Sequence, residues 1–377
     1  MIKRLLEKKL SERFSDKKAL IITGPRQSGK TTLVKIFLDQ YKEPFLWWTG
    51  DDFEVRSILS DISLARLKSL IGKHHILVID EAQRIENIGL CIKMIVDNIP
   101  NVKVIATGSS AFELANRINE PLTGRKWEYL LAPLSFKEMA DSEGLLHEIS
   151  LLNHRLVYGY YPEVVTNPGN ERSLLKQLAD SYLYKDILVW ENIHKPERME
   201  KLIQALALQI GNEVSFHELG KMTGLNNETV EKYIDLLEKT FVIFRLRSFS
   251  RNLRNELKKS RKIYFYDNGI RNAVINAFNP IDLRDDKGVL WENFMISERM
   301  KMNAYNEIFV NRYFWRTHAQ QEIDYIEEND SKLHAYEFKW NPDSKMVKHS
   351  VFTKAYPQSE IQTITPGNFL AFAGFPE

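Results

Sequence analysis

The stretch Gly24-Pro25-Arg26-Gln27-Ser28-Gly29-Lys30-Thr31, followed by Thr32, decides the fold of the first part of this chain. It matches the pattern G-x-x-x-x-G-K-[ST] between a short apolar run and an amphipathic stretch, which predict a strand and a helix. Backbone N–H groups at a helix N-terminus supply the clustered donors that a triphosphate requires. The Lys30 ammonium can reach the β- and γ-phosphates, and the Thr31 hydroxyl can ligate Mg²⁺. We therefore expect the residues from Gly24 to Thr32 to bind ATP with Mg²⁺, rather than to form a chance glycine loop.

A pair of carboxylates follows a second apolar run. The branched residues from Ile76 to Ile79 predict a buried strand, and this strand ends in Asp80 and Glu81. An Asp at this position can hold Mg²⁺ through water, and a neighbouring Glu can polarise the attacking water as a general base. The pair is a weak signal alone, but parallel strands bring it to the same sheet edge as the phosphate loop. We expect Asp80 to order Mg²⁺ and Glu81 to activate water.

Polar residues follow the next predicted strand, Val102 to Thr107. Thr107, Ser109 or Ser110 could act as a sensor that hydrogen-bonds the water or the γ-phosphate, and a serine-rich turn that caps a helix is the alternative. Arg125 could act as an arginine finger on its own or a neighbouring subunit's nucleotide, or form an ordinary surface salt bridge. Both pairs of alternatives stay open on the sequence alone.

The order of the strand and helix signals predicts an α/β fold. Strand candidates alternate with helical stretches up to about residue 140, which indicates a parallel sheet. A chain of 377 residues is too long for one ordinary core. We divide it into a P-loop ATPase core, a helical connector, a winged-helix segment and a terminal α/β domain, which span residues 1–140, 141–212, 213–287 and 288–377.

The composition excludes several classes of protein. Hydrophobic residues make up 44% and charged residues 27%, a globular balance, and the net charge of +2 means that any basic surface must be local. Cys91 is the only cysteine, which excludes an internal disulfide framework and a cysteine-rich zinc site. The sequence shows neither a secretion signal nor an apolar window of about 18 residues, so we expect a cytoplasmic protein without membrane contact.

These motifs resemble the prokaryotic AAA+ ATPases that carry a C-terminal domain of unknown function. The resemblance covers nearly the whole chain, and implies an AAA+ core, a winged helix and a nuclease-like terminal fold. If Arg125 acts in trans, it also implies a homo-oligomer such as a hexameric ring. Gln27 stands where many relatives carry a second basic residue. Beyond the phosphate loop, the resemblance rests on Val78 to Gln83, Thr107 to Ser110, Gly124-Arg125, Leu131 to Phe136, Tyr158 to Pro162, Tyr184 to Ile187 and Lys262 to Asp267.

A helix-turn-helix pattern begins at Phe216, with Gly224 at the turn, and two strand candidates follow it, Phe241 to Phe249 and Lys262 to Tyr266, which together predict a winged helix. The second helix, Asn226 to Lys239, offers polar side chains that could read DNA bases, or it could present an ordinary solvated face whose acids repel phosphates. A basic strip that could contact DNA phosphates follows, with a packing module as the alternative. The strip holds, against Glu256, the residues Arg247, Arg251, Arg254, Lys258, Lys259, Arg261 and Lys262.

The last part of the chain predicts a helix, three strands and a helix, and contains Glu292, Asp324, Glu337 and Lys339 in this order. Three carboxylates and a lysine so arranged resemble the PD-(D/E)xK nuclease core, in which carboxylates hold Mg²⁺ and the lysine helps to orient the attacking water. Strand alternation places Glu337 and Lys339 on one side of a strand, as it also does in many solvated strands. His318 and His334 lie nearby but are single histidines, which are mostly structural.

The leading hypothesis is a DNA-associated AAA+ ATPase in which ATP turnover drives a metal-dependent nuclease domain. The alternative is a nucleotide-dependent switch that recruits a protein partner, with the nuclease fold as an inactive scaffold. The two differ in whether DNA stimulates ATP turnover, and in whether Asp324 and Lys339 matter to any activity.

Overall fold

The computed structural model describes residues 2–109, 121–180, 196–250, 261–317, 321–344 and 349–375. The chain divides into two compact units. The first comprises Met1–Pro133 with Lys239–Phe241, and the second comprises Leu134–Glu238 with Val242–Glu377. The predicted fold class, an α/β chain with a parallel core sheet and a further α/β region, is confirmed.

The first unit is built on a parallel sheet whose described strands run in the order β2-β3-β4-β1-β5. These strands are β1 (Ala19–Thr23), β2 (Phe45–Thr49), β3 (Ile76–Asp80), β4 (Lys103–Gly108) and β5 (Lys126–Leu130). The described helices are α1 (Leu6–Arg13), α2 (Lys30–Asp39), α3 (Phe53–Ser60), α4 (Leu64–Ile71) and α5 (Ile88–Asn98). The strands expected before Gly24, from Ile76 to Asp80 and from Val102 to Thr107 are present as β1, β3 and β4, within one residue of the bounds given.

Burial explains why the predicted strands could be found. Every residue of β1 and of β3 is buried. Inner parallel strands require mostly branched apolar residues, and this composition made both strands recognisable in the sequence. Cys91 lies on α5 in the same apolar core and is 1% exposed. The strand β5 was not predicted, because Lys126 and Glu128 interrupt its apolar residues and it lies at the edge of the sheet.

The second unit begins with helices. Those described up to residue 208 are α6 (Phe136–Glu143), α7 (Leu145–Ser150), α8 (Leu152–Tyr158), α9 (Pro162–Thr166), α10 (Glu171–Leu178) and α11 (Pro196–Leu208). Two further helices, α12 (Phe216–Thr223) and α13 (Asn227–Lys239), form the predicted helix-turn-helix. Gly224 ends α12 in the left-handed conformation, with φ of 71°, which a glycine adopts without steric cost.

A mixed sheet follows, with described strands in the order β12-β11-β10-β9-β7-β8-β6. These are β6 (Glu213–Val214), β7 (Ile243–Ser248), β8 (Arg261–Phe265), β9 (Asn311–Arg316), β10 (Glu322–Asn329), β11 (Lys332–Phe338) and β12 (Glu360–Ile364). The remaining described helices are α14 (Asn268–Val274), α15 (Lys287–Tyr305) and α16 (Ser350–Ala355). The helix α15, the antiparallel strands β9 to β11 and α16 follow the order expected for the terminal region, and β12 extends it.

This sheet crosses two of the segments expected from the sequence. β8 lies between β6, which precedes the helix-turn-helix, and β7, which follows it, as in a winged helix, but β7 also pairs in parallel with β9. Segments 213–287 and 288–377 therefore share one sheet. The winged-helix assignment and the three borders between the four segments stay predictions.

A search of the described residues for helices long and apolar enough to cross a membrane finds none.

Gly24 lies close against the backbone of Leu131 in the first unit. A Cβ atom at this position would lie 2.2 Å from the carbonyl oxygen of Leu131. We expect Gly24→Ala to lower the free energy of unfolding by about 3 kcal/mol or more, because the Leu131 carbonyl belongs to the backbone and cannot move aside as a flexible side chain would. Gly288→Ala, on α15, is the control, since its Cβ would meet nothing within 4 Å, and we expect it to change the free energy of unfolding by no more than about 1 kcal/mol. Urea unfolding of the two variants measures the difference, and equal losses would contradict this account.

Candidate functional site

The carboxyl ends of β1, β4 and β3 form one edge of the first sheet, and the predicted nucleotide-binding residues lie along it. The residues from Gly24 to Thr32 form the connection from β1 to α2 and the first turn of that helix. Gly29 precedes α2 with φ of 93°, and Gln27 also takes a left-handed conformation, with φ of 59°. Because β4 lies between β1 and β3, side chains at its end reach towards both the loop and Asp80.

Lys30 is buried beneath the phosphate loop, with 5% exposure. Its ammonium donates to the carbonyl oxygens of Gly24, at 3.0 Å, and of Pro25, at 2.8 Å. Burial lowers the pKa of Lys30 to about 8, although the carboxylates of Glu81 and Asp80 act in the opposite direction. The side chain is thus a desolvated cation whose hydrogen-bond acceptors are neutral, an environment that favours the arrival of an anion.

The two predicted Mg²⁺ ligands of this site are in contact. The Thr31 hydroxyl lies 3.2 Å and 3.0 Å from the two carboxylate oxygens of Asp80 and donates to them. Thr107 joins them, because its hydroxyl donates to Asp80 and accepts the backbone N–H of Glu81 at 3.2 Å. Hydroxyl and carboxylate oxygens are the hard donors that Mg²⁺ prefers, so Thr31 and Asp80 fit this ion.

The predicted general base is held by a residue that the sequence analysis did not assign. Glu81 has a left-handed backbone, with φ of 49°, and the 3₁₀ turn Ala82–Arg84 that follows folds the chain back. The Gln83 amide, which is 2% exposed, donates to the Glu81 carboxylate at 2.6 Å and to the Ser109 hydroxyl at 2.8 Å. The available signal was the spacing Glu81-Ala82-Gln83 directly after a buried strand.

The sensor and finger candidates are placed differently. Thr107 and Ser109 both lie at the site, whereas Ser110 lies outside the described residues. The Arg125 guanidinium forms an ion pair with the carboxylate of Asp97, with 2.6 Å between Nε and Oδ1. This contact is the salt bridge weighed above as the alternative, and the arginine-finger role stays a prediction.

The terminal residues Glu292, Asp324, Glu337 and Lys339 form a second cluster, contributed by α15, β10 and the end of β11. The Lys339 ammonium lies 2.9 Å from a carboxylate oxygen of Glu337, so the expected E-x-K pair is close. The backbone N–H of Phe338 donates to Asp324 at 2.8 Å.

Lys262, from β8, is a member of this cluster that sequence reasoning assigned elsewhere. It was expected in the basic strip as a phosphate contact, which is wrong, because the residue is 1% exposed. Its ammonium lies 3.4 Å from a carboxylate oxygen of Glu292 and forms an ion pair with Glu322. The Tyr264 hydroxyl donates to Glu292 at 2.5 Å.

The electrostatics of this cluster reflect burial and crowding. Burial, reinforced by the carboxylate of Asp324, raises the pKa of Glu292 and that of Glu337, each to about 7. Burial acts to lower the pKa of Lys262, but the carboxylates of Glu292, Asp324 and Glu322 outweigh it and raise this pKa. In the described ranges, no three His, Cys, Asp or Glu side chains are grouped so as to hold a metal ion.

The predicted DNA-contacting surface is described only in part. Two arginines pair with acids of α13, since Arg261 lies 3.3 Å from Glu231, and Arg245 lies 2.8 Å from Asp235. His334 forms a contact of 3.2 Å with Glu360, in keeping with a surface role. Outside the described residues lie the expected positions Tyr184 to Ile187, Arg251, Arg254, Glu256, Lys258, Lys259 and His318.

Three family models match this chain. Residues 16–140 match the model described as AAA domain. Residues 149–280 and 287–369 match models that are each described as a domain of unknown function, DUF8612 and DUF4143. The chain therefore contains an AAA-type P-loop ATPase domain, which confirms the coarser part of the sequence prediction. The descriptions of the other two models name neither a winged helix nor a nuclease.

Two similar proteins are described as uncharacterized. One, from Mycobacterium tuberculosis, is 25% identical over 325 residues, which cover 85% of this chain and 70% of that protein. The other, from Haemophilus influenzae, is 26% identical over 277 residues, which cover 68% of each chain.

Solved structures show a weaker likeness. A Walker-type ATPase of Pyrococcus abyssi has a TM-score of 0.49 at 16% identity, covering 72% of this chain and 94% of its own. The Thermotoga maritima RuvB Holliday junction branch migration motor has a TM-score of 0.34 at 15% identity, covering 70% and 92%. At these values the fold is assigned from the strand order and the family model instead.

The lowered pKa of Lys30 predicts proton uptake when a nucleotide binds. At about pH 9 the ammonium is largely deprotonated in the free protein, and a bound triphosphate would raise its pKa again. We expect ATP binding to take up close to one proton at about pH 9 and almost none at about pH 6.5, where Lys30 is charged in both states. Calorimetry in two buffers of different ionisation enthalpy measures this number. Lys30→Arg stays protonated throughout and should show no uptake at either pH. Uptake that persists in this variant would place the proton elsewhere.

Proposed function

We propose that this chain binds ATP with Mg²⁺ and hydrolyses it at the sheet edge formed by β1, β4 and β3. The observation that carries the proposal is the continuous contact from Thr31 through Asp80 and Thr107 to Glu81. It joins the phosphate loop, the Mg²⁺ ligands and the general base at the end of the P-loop strand and its neighbours. The AAA-domain match over residues 16–140 supports it independently.

Each side chain has a distinct task in this mechanism. The Lys30 ammonium exchanges its two loop carbonyls for the β- and γ-phosphate oxygens. Thr31 and Asp80 hold Mg²⁺, which when bound neutralises charge on the phosphates. Glu81 accepts the proton of the attacking water, and Thr107 fixes the backbone from which Glu81 projects.

A matched pair of glutamate variants tests the hydrolysis. We expect Glu81→Gln to lower kcat by about 100-fold or more, because the amide cannot accept the water's proton, and to leave ATP binding intact. Glu54→Gln is the control, since Glu54 is an exposed residue of α3, and it should turn over ATP at the wild-type rate. Phosphate release and equilibrium ATP binding are measured on both. Wild-type turnover in Glu81→Gln would remove this residue from the mechanism.

Gln83 is proposed as a positioning residue for Glu81. Its amide occupies one carboxylate oxygen, at 2.6 Å, and so leaves the other to face the attacking water. We expect Gln83→Ala to lower kcat by roughly 10- to 100-fold, since a misplaced base loses its alignment, while KM changes by less than about 2-fold. Gln40→Ala is the control, because Gln40 caps the C-terminal end of α2, and it should change neither kcat nor KM. A loss confined to KM would show instead that Gln83 supports nucleotide binding.

DNA association remains part of the proposal because of the helix-turn-helix formed by α12 and α13. The pairing of Glu231 with Arg261 and of Asp235 with Arg245 offsets part of the negative charge of α13, which reduces repulsion from phosphates. The ATPase assay with and without duplex DNA separates the two hypotheses. Stimulation by DNA supports a DNA-associated enzyme, and turnover that is indifferent to DNA favours a switch that recruits a protein partner.

The oligomeric state is proposed separately. A ring in which Arg125 reaches a neighbouring nucleotide requires the guanidinium to leave Asp97. Light scattering with ATP, on the wild type and on Glu81→Gln, measures whether such an assembly forms, and a monomer at high concentration would count against it.

A further inference from the structure

We propose that the Lys262 ammonium is the resident cation of the terminal carboxylate cluster. The nuclease resemblance implies a divalent metal among Glu292, Asp324 and Glu337, and the residues present do not fit one. The cluster is instead an internal ion network that fixes β8, α15, β10 and β11 to each other. This proposal concerns the second unit alone and does not depend on ATP hydrolysis.

The position of Lys262 is set by strand pairing. β8 pairs with β7 on one side and with β6 on the other, so the backbone of Lys262 is held by strand pairing on both edges. The side chain is 2% exposed, and its ammonium contacts Glu292 of α15 and Glu322 of β10. A buried ammonium without carboxylate partners would be costly, so these contacts are a condition of its burial.

Each expected metal ligand already has an internal partner. Glu292 accepts from the Tyr264 hydroxyl in addition to Lys262. One oxygen of Asp324 accepts the backbone N–H of Phe338 at 2.8 Å. A divalent ion needs several ligands that converge, and among the described residues no three His, Cys, Asp or Glu side chains are grouped so as to hold one.

The third ligand, Glu337, forms an ion pair through one of its oxygens, which lies 2.9 Å from the Lys339 ammonium. The other oxygen lies 3.1 Å from Nε2 of His349, and both of these buried atoms lack a hydrogen-bond partner among the described residues. Lys339 therefore acts as a counter-ion of Glu337, just as Lys262 does for Glu292 and Glu322. Together, Lys262 and Lys339 supply the positive charge that one divalent ion would otherwise supply.

Removal of Lys262 should convert the network into a metal-dependent one. Lys262→Ala leaves Glu292 and Glu322 without their ammonium, and an added divalent cation can then neutralise them. Lys332→Ala is the matched control, because Lys332 is an exposed lysine of the neighbouring strand β11. Asp324→Asn, alone and combined with Lys262→Ala, reports whether any bound ion sits at this cluster.

The experiment is thermal unfolding of the full chain without nucleotide, in EDTA and in Mn²⁺. We expect Mn²⁺ to shift the Tm of the wild type and of Lys332→Ala by less than about 1 °C. Lys262→Ala should unfold at a lower temperature in EDTA and regain about 3 °C or more in Mn²⁺, a gain that Asp324→Asn abolishes. A Tm of Lys262→Ala that neither falls nor responds to Mn²⁺ would overturn the proposal.

Direct Mn²⁺ binding provides a second measurement that needs no lysine variant, in case Lys262→Ala does not fold. Electron paramagnetic resonance counts the Mn²⁺ bound to the wild type and to Asp324→Asn, and any ion held at the phosphate loop is common to both and cancels. Equal occupancy supports the proposal. One equivalent of Mn²⁺ bound to the wild type and lost in Asp324→Asn would overturn it, and would establish the metal site instead.

Discussion

The insertion of β4 between β1 and β3 is the constraint on which the nucleotide site depends. Parallel pairing on both sides of β4 brings the phosphate loop after β1 and the carboxylates after β3 to the same edge, one strand apart. Thr107, at the end of β4, contacts both Asp80 and the backbone of Glu81, and Thr31 of the phosphate loop contacts Asp80 directly. Asp80 is therefore the residue through which the loop and the end of β4 are connected.

What the sequence predicted well is local in the chain. The phosphate loop, the run that ends in Asp80 and Glu81, and the helix-turn-helix around Gly224 are each defined by residues a few positions apart, and the structure places them in the expected elements. What it did not predict depends on distant pairings. Gln83 donates to Ser109, which follows the separate strand β4. Lys262 belongs to a cluster whose other members lie at least 30 positions further along the chain.

Lys262 shows why a charge run is a poor guide to a surface. Lys262 is the last residue of the basic strip in the sequence, and the strip as a whole suggested a contact with DNA phosphates. In the structure, however, β8 lies between β6 and β7, and its residues from Lys262 to Phe265 are buried on both faces, while Arg261 is only partly buried. The strand itself was predicted from Lys262 to Tyr266, but its burial on both faces depends on pairing with distant segments and was not.

Two buried lysines with opposite pKa shifts separate the two sites by their chemistry. Lys30 and Lys262 are both almost inaccessible, but burial prevails at Lys30, whose ammonium donates to neutral carbonyl oxygens, and its pKa falls to about 8. At Lys262 burial is outweighed by carboxylates in direct contact, and its pKa rises. A desolvated ammonium that lacks a contacting anion is prepared to receive one from outside, whereas one that already contacts two carboxylates has no further use for a ligand. The surroundings of Lys30 therefore suit the proposed phosphate ligand, whereas the charge of Lys262 is already balanced by carboxylates of the second unit.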